Sequence, residues 1–267
     1  MLDLARRHLD GSFRGLRKVP EITAYFWVVK LLTTAMGEST SDFLVFGINP
    51  YVAVVLGCLG LVVALVLQLR ARRYVAGTYW LAVAMVAVFG TMAADVAHVV
   101  LGIPYAVSSA AFALSLAVIF VAWYVVERTL SIHTIYAGRR ELFYWATVIA
   151  TFALGTALGD LTASTLGLGY FSSILLFAIL FALPGLAYRT AGLSEVAAFW
   201  GAYVVTRPLG ASFADWTGKP YLGGLGWGDD KVALALTIAI VAFVAYLSVS
   251  RVDVGERQAF PAAEEAG

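Results

Sequence analysis

The sequence predicts an all-α polytopic membrane protein: eight transmembrane helices arranged as four parallel two-helix repeats, with the N and C termini cytoplasmic. Three observations lead there. Hydrophobic residues make up 61% of the 267 residues and charged residues only 13%, a balance that would give a soluble domain of this size an apolar surface. Runs of about 20 apolar residues, the length that crosses ~30 Å of hydrocarbon, recur along the chain. Four times, inside such a run, a tryptophan is followed ten residues later by a glycine and five residues after that by an aspartate: Trp27, Gly37, Asp42; Trp80, Gly90, Asp95; Trp145, Gly155, Asp160; Trp200, Gly210, Asp215. Recurrence at fixed spacing marks an internal repeat.

The elements follow in order. Residues 1–19 form a basic N-terminal segment with Arg6, Arg7, Arg14, Arg17 and Lys18, expected to be cytoplasmic and to lie on anionic lipid. Repeat 1 (20–74) carries predicted spans at 22–46 and 51–69, repeat 2 (75–138) at 78–101 and 105–126, repeat 3 (139–193) at 143–166 and 171–188, and repeat 4 (194–251) at 196–216 and 232–250. The tail, 252–267, is polar and rich in Ala and Glu, a composition that predicts disorder. No small-residue cleavage site follows the basic start, and the first apolar run contains Lys30 and Glu38, so it reads as a retained helix and not a signal peptide.

Basic residues set the expected orientation, because Lys and Arg are retained on the cytoplasmic side. Fourteen of the 18 fall in the N-terminal segment, the second, fourth and sixth connections, and the tail. The opposite connections hold only Lys219 and Lys231, while Lys30 and Arg207 lie inside predicted helices. All four motif helices therefore run the same way and are related by rotation about the membrane normal, as a pseudo-fourfold or two-plus-two bundle, unlike the inverted repeats of many transporters. Cys58 is alone, which rules out a disulfide framework or a thiolate metal site, and a net charge of +1 argues against a nucleic-acid partner.

The motif spacing has physical content. Each glycine is followed four residues on by a small residue, giving Gly37/Ser41, Gly90/Ala94, Gly155/Gly159 and Gly210/Ala214, a stripe that lets helix backbones approach closely. The aspartate comes next, beside this packing seam and about 22 Å along the helix from its tryptophan. With Trp27, Trp80, Trp145 and Trp200 as repeat anchors near the cytoplasmic interface, Asp42, Asp95, Asp160 and Asp215 form a layer in the outer third of the membrane. Such a layer either accepts hydrogen bonds that lock the repeats together or binds protons or cations.

Residues that break the repeat point more directly to function. Glu38 and Asp42 are one turn apart on one face, with Thr34 a further turn down. Two carboxylates so placed in a low dielectric call for a proton or a cation. Lys30 lies two turns below Glu38, placed either to neutralise it through a relay or to snorkel to the interface. Arg207, followed by Pro208, takes the place held by Thr34, Ala87 and Phe152 in the other repeats. At that depth it needs an anion, for which Glu38 or an aspartate is the natural partner. His98, three residues after Asp95, offers with it a second pair of metal ligands.

The stretches from Lys18 to Asp42, "ERTLSIHTI" from Glu127, "ALGTALGD" ending at Asp160 and "TRPLGASFADW" from Thr206 resemble a family of uncharacterised bacterial membrane-anchored proteins with four tandem two-helix repeats, each with a tryptophan. The resemblance covers the chain apart from its two ends and implies a bacterial inner-membrane protein, without an activity. The residues themselves predict a transporter or exporter of a small cation, a divalent metal or a proton-coupled solute. The alternative is a non-transporting scaffold or regulatory subunit in which the repeated aspartates are structural. Beyond the lipid bilayer the expected partners are a small cation or proton and a second copy of the chain. No His-Glu-x-x-His or Gly-x-Ser-x-Gly is present, so neither an enzyme nor a cofactor is expected. The Gly-rich stretch Tyr221 to Asp230 reads as an external lid or a turn-rich connection.

Overall fold

The computed structural model describes residues 17–254. Eight long helices form: α1 (Ala24–Gly47), α2 (Pro50–Arg70), α3 (Ala76–Asp95), α4 (Tyr105–Glu127), α5 (Arg139–Asp160), α6 (Gly169–Thr190), α7 (Glu195–Gly218) and α8 (Asp229–Ser250), with no strand among the described residues. Six of them, α2 to α6 and α8, are long and apolar enough to cross a membrane. The other two, α1 and α7, are 24 residues each, and the sequence explains their lower apolarity: they carry Lys30, Glu38 and Asp42, and Arg207 and Asp215. Those charges are buried, because both helices stand inside the bundle and are sheathed by neighbours.

Odd-numbered helices form an inner ring, α1 against α3, α3 against α5, α5 against α7, and α7 back against α1. The even-numbered ones pack outside it. Each packs chiefly on the first helix of the following repeat: α2 on α3, α4 on α5, α6 on α7, and α8 on α1. The outer helices turn Val55, Leu59, Val118, Val121, Ile179 and Ile238 outward, an apolar girdle suited to a lipid bilayer.

The glycine of each motif explains why the ring closes. A Cβ on Gly37 would overlap Ala87, one on Gly90 would lie 2.7 Å from Phe152 Cβ, one on Gly155 would overlap Arg207, and one on Gly210 would overlap Thr34. Every partner sits seven residues after the motif tryptophan of the next repeat, and the fourth returns to the first. Four identical contacts related by one rotation make a closed pseudo-fourfold ring.

The tryptophans play another part than interfacial anchors. Trp80, Trp145 and Trp200 are buried, and only Trp27 is partly exposed, against Phe181 and Phe199. With Phe26, Tyr79, Tyr144, Phe199 and Tyr203 they fill this end of the ring with aromatic rings, among which the Tyr79 and Tyr144 hydroxyls meet at 2.5 Å. Packing between inner helices has taken the rings away from lipid headgroups.

Two further expectations change. Lys18 does not lie on lipid: it is buried, pairs with Glu141 at 2.5 Å, and donates to the Leu69 carbonyl at 3.0 Å. Gln68 donates to its carbonyl at 3.2 Å, so the segment from Arg17 to Thr23 is a strap tucked under the tryptophan end. The start of the tail is likewise packed and not disordered, since Asp253 is buried, accepts from the Tyr74 hydroxyl, and holds Glu21 N through its carbonyl at 2.8 Å. The rest of both terminal segments lies outside the described residues.

Candidate functional site

Charged side chains occupy the ring axis in layers that rise from the tryptophan end. Lys30, three residues beyond Trp27, is 1% exposed. Its ammonium stands 4.1 Å from the Phe152 ring centre and 4.4 Å from that of Tyr203, and makes no hydrogen bond among the described residues. It neither snorkels nor reaches Glu38. Aromatic faces supply its attraction, on the order of 2 kcal/mol when desolvated.

One turn higher, Arg207 is fully buried and its Nη2 donates to Glu38 Oε2 at 2.6 Å, to Thr156 Oγ1 at 2.7 Å and to Thr91 Oγ1. Glu38, Thr91 and Thr156 hold the same position in successive repeats, eleven residues after the tryptophan, and Ala211 holds it in the fourth. A single guanidinium therefore ties α7 to α1, α3 and α5 and closes the axis at this level. Thr34 takes part through its carbonyl, which accepts from Arg207 Nη1 at 3.4 Å, because its hydroxyl bonds back to Leu31 O at 2.7 Å. Removing one partner of such a pair leaves a buried charge at a cost of about 3–5 kcal/mol.

Above the arginine lie the four aspartates, and they are not equivalent. Asp42 and Asp215 share the ammonium of Lys219, at 2.8 and 2.7 Å. Burial opposes the charge on Lys219, but Asp215 and Asp42 outweigh it and hold the pKa well above the ordinary lysine value. Asp95 and Asp160 have no basic partner within 4 Å among the described residues and line a cavity of about 330 Å³ together with Glu38, Asp42, Tyr51, Tyr105, Tyr170 and Lys219. These two also end their α-helices: a π-turn follows each, Val96–Val100 and Leu161–Thr165, whereas α1 and α7 run on past theirs. A π-turn widens the coil and frees one backbone position, a device common at functional sites.

Glu38, Asp42 and Asp215 bring ligand oxygens within 4.8 Å of one another. His98 stays outside this group. Its Nδ1 meets the Ile103 carbonyl at 3.2 Å and its ring packs on Tyr105 at 4.1 Å, because the π-turn aims it at the connection to α4. Sequence reasoning placed Lys219 in an outer connection and missed its role; the available signal was its spacing of four residues from Asp215, which puts both on one helical face.

Lys219 belongs to a ribbon that folds back on the end of α7. Leu225 N donates to Trp216 O at 2.6 Å, Trp227 N to Thr217 O at 2.9 Å and Gly228 N to Gly218 O at 3.1 Å. The reversal falls at Leu222 and Gly223, with φ of 49° and 81°. Residues 221–230 thus form an ordered cap over the aspartate end.

A family model described as Repeat of Unknown Function (DUF347) matches four segments, residues 25–74, 78–129, 143–192 and 198–253. No curated protein and no solved structure matches the chain.

Proposed function

The chain belongs to the DUF347 repeat family, and since that description carries no activity, we propose from the geometry that it moves a small cation, a divalent metal or a proton-coupled solute, through the axis of its helix ring, and is not an enzyme. In this reading all eight helices span a bacterial inner (plasma) membrane, the tryptophan end is cytoplasmic, and the aspartate cavity faces outward, as the distribution of Lys and Arg favours.

One observation carries the proposal: on the axis, among the described residues, five carboxylates (Glu38, Asp42, Asp95, Asp160, Asp215) face two cationic groups, Arg207 and Lys219, while Lys30 lies below them among aromatic rings. Carboxylates in excess inside a bundle of membrane-length helices are costly unless protons or cations balance them. Asp95 and Asp160, free of basic partners and facing the cavity, are where an entering cation or proton binds first. Passage onward requires the Arg207–Glu38 pair to open, and Glu38, the carboxylate at this level of the axis, is the group that takes up the passing proton or cation.

Ion flux in proteoliposomes tests this, with monovalent and divalent cations, with and without a pH gradient, for the intact protein and for Glu38→Gln. Flux that the substitution abolishes supports the pathway. Absence of flux for every ion with folded protein sinks it in favour of a scaffold, a reading supported by the way Arg207 binds all four inner helices at once.

A further inference from the structure

We propose that Lys219 is a tethered cation that keeps a divalent-cation site closed: its ammonium stands where the ion binds, between Asp42 and Asp215 and beside Glu38. This rests on the cation pathway above and names its ion class and its control. The ammonium bridges one carboxylate from the first inner helix and one from the last, at 2.8 and 2.7 Å. Asp42 and Asp215 are 5% and 3% exposed, and among the described residues the bridging oxygens Asp42 Oδ2 and Asp215 Oδ1 make no hydrogen bond to anything else. Withdrawal of the lysine would leave both oxygens buried, charged and aimed at one empty point.

Size and charge select the ion. Ligand oxygens of Glu38, Asp42 and Asp215 lie within 4.8 Å of one another, and two oxygens on opposite sides of an ion at about 2.4 Å span that distance. All three donors are carboxylates, which suits hard divalent cations over softer metals. These carboxylates, set against Arg207 and Lys219, leave one negative charge. A monovalent ion in place of the ammonium changes nothing, whereas a divalent ion neutralises the cluster, the state that burial favours.

The cap supplies the means of release. Lys219, Glu38 and Asp42 all line the 330 Å³ cavity, so an ion can reach the cluster and the lysine can leave it without repacking the helices. Gly226 N holds the Lys219 carbonyl at 3.2 Å, and Tyr170 N of α6 holds the Leu222 carbonyl at 3.2 Å. Leu222, at φ 49°, keeps a left-handed backbone unusual for a branched side chain. Lifting this short ribbon withdraws the ammonium, and binding of the ion in turn favours the lifted ribbon.

The test is equilibrium binding of Mn²⁺ to the purified full chain in detergent, read from the free-ion electron paramagnetic resonance signal. Lys219→Met is expected to bind Mn²⁺ about tenfold or more tightly than the parent protein, and Asp42→Asn added to it should lose the gain. A folded Lys219→Met protein with no gain overturns the proposal. If that variant does not fold, the parent decides: acylation of Lys219 by acetic anhydride, followed by mass spectrometry, should rise as Mn²⁺ displaces the ammonium, and labelling unchanged up to millimolar Mn²⁺ overturns it. Flux and binding separate the two readings, since Mn²⁺ binding without flux removes the pathway and keeps the latch, while flux without the gain removes the latch alone.

Discussion

Gly155 lies against the stem of Arg207 so closely that a Cβ would overlap the arginine Cγ. The seam glycine of the third repeat thereby gives the arginine its route to the axis, where the other three seams hold Ala87, Phe152 and Thr34. Gly155→Leu should therefore destabilise the protein by about 1–3 kcal/mol or prevent its assembly, while Gly185→Leu, with nothing within 4 Å of its Cβ site, should change little. Thermal melting in detergent compares them, and equal melting points would show that the seam is not under compression.

Glu38 and Arg207 should be strongly coupled. Glu38→Gln and Arg207→Met are each expected to cost roughly 3 kcal/mol or more, because each strands a buried charge, and the double variant should recover part of the loss. Unfolding of the four proteins closes the cycle. Additive losses would mean that Thr91 and Thr156 satisfy Arg207 without the carboxylate.

Lys30 sits in the opposite situation, buried with aromatic faces and, among the described residues, no anion paired with it. Lys30→Met preserves the length of the side chain and removes the cost of enclosing an amine, so stability should be unchanged or higher by about 1 kcal/mol. A loss of more than ~2 kcal/mol would show that the cation–π contacts outweigh desolvation.

Asp253 ties the start of the tail to Tyr74. Burial raises its pKa above the ordinary carboxylate value, and the hydrogen bond from Tyr74 offsets part of that. The folded state consequently holds this proton more tightly than the unfolded state, so the contribution of Asp253 to stability is present below the unfolded pKa of ~4 and is lost as pH rises through the folded value. Melting points measured across that range should vary less with pH in Asp253→Asn than in the parent. Parallel curves would assign the dependence to other groups.

How far the sequence could be read depends on whether a requirement recurs. Gly37, Gly90, Gly155 and Gly210 were legible as a seam because the same close contact is made four times, and the same regularity implied parallel motif helices. The Arg207–Glu38 pair was accessible in part, since an arginine inside an apolar helix calls for an anion and Glu38 stood among the candidates beside the aspartates. Lys219 escaped because a lysine near the end of a span normally reports topology, and only its register with Asp215 distinguishes it. The tryptophans misled for a related reason: an aromatic near a helix end has the same local sequence whether it faces headgroups or a neighbouring helix. Nor does any residue pattern announce the π-turns after Asp95 and Asp160, which arise from how those helices meet their connections.

The packing of each outer helix on the following repeat has a bearing on biogenesis. During synthesis α2 can settle on α3 as soon as α3 appears, and α4 and α6 likewise find α5 and α7. For α1 the covering helix is α8, the last of the eight to be made. The helix with Lys30, Glu38 and Asp42 lacks the arginine that neutralises Glu38 until α7 is made, and its sheath until α8 follows. A helix with three charges that end up buried is thus made first and sheltered last, and something other than the finished fold must shield it until the ring closes.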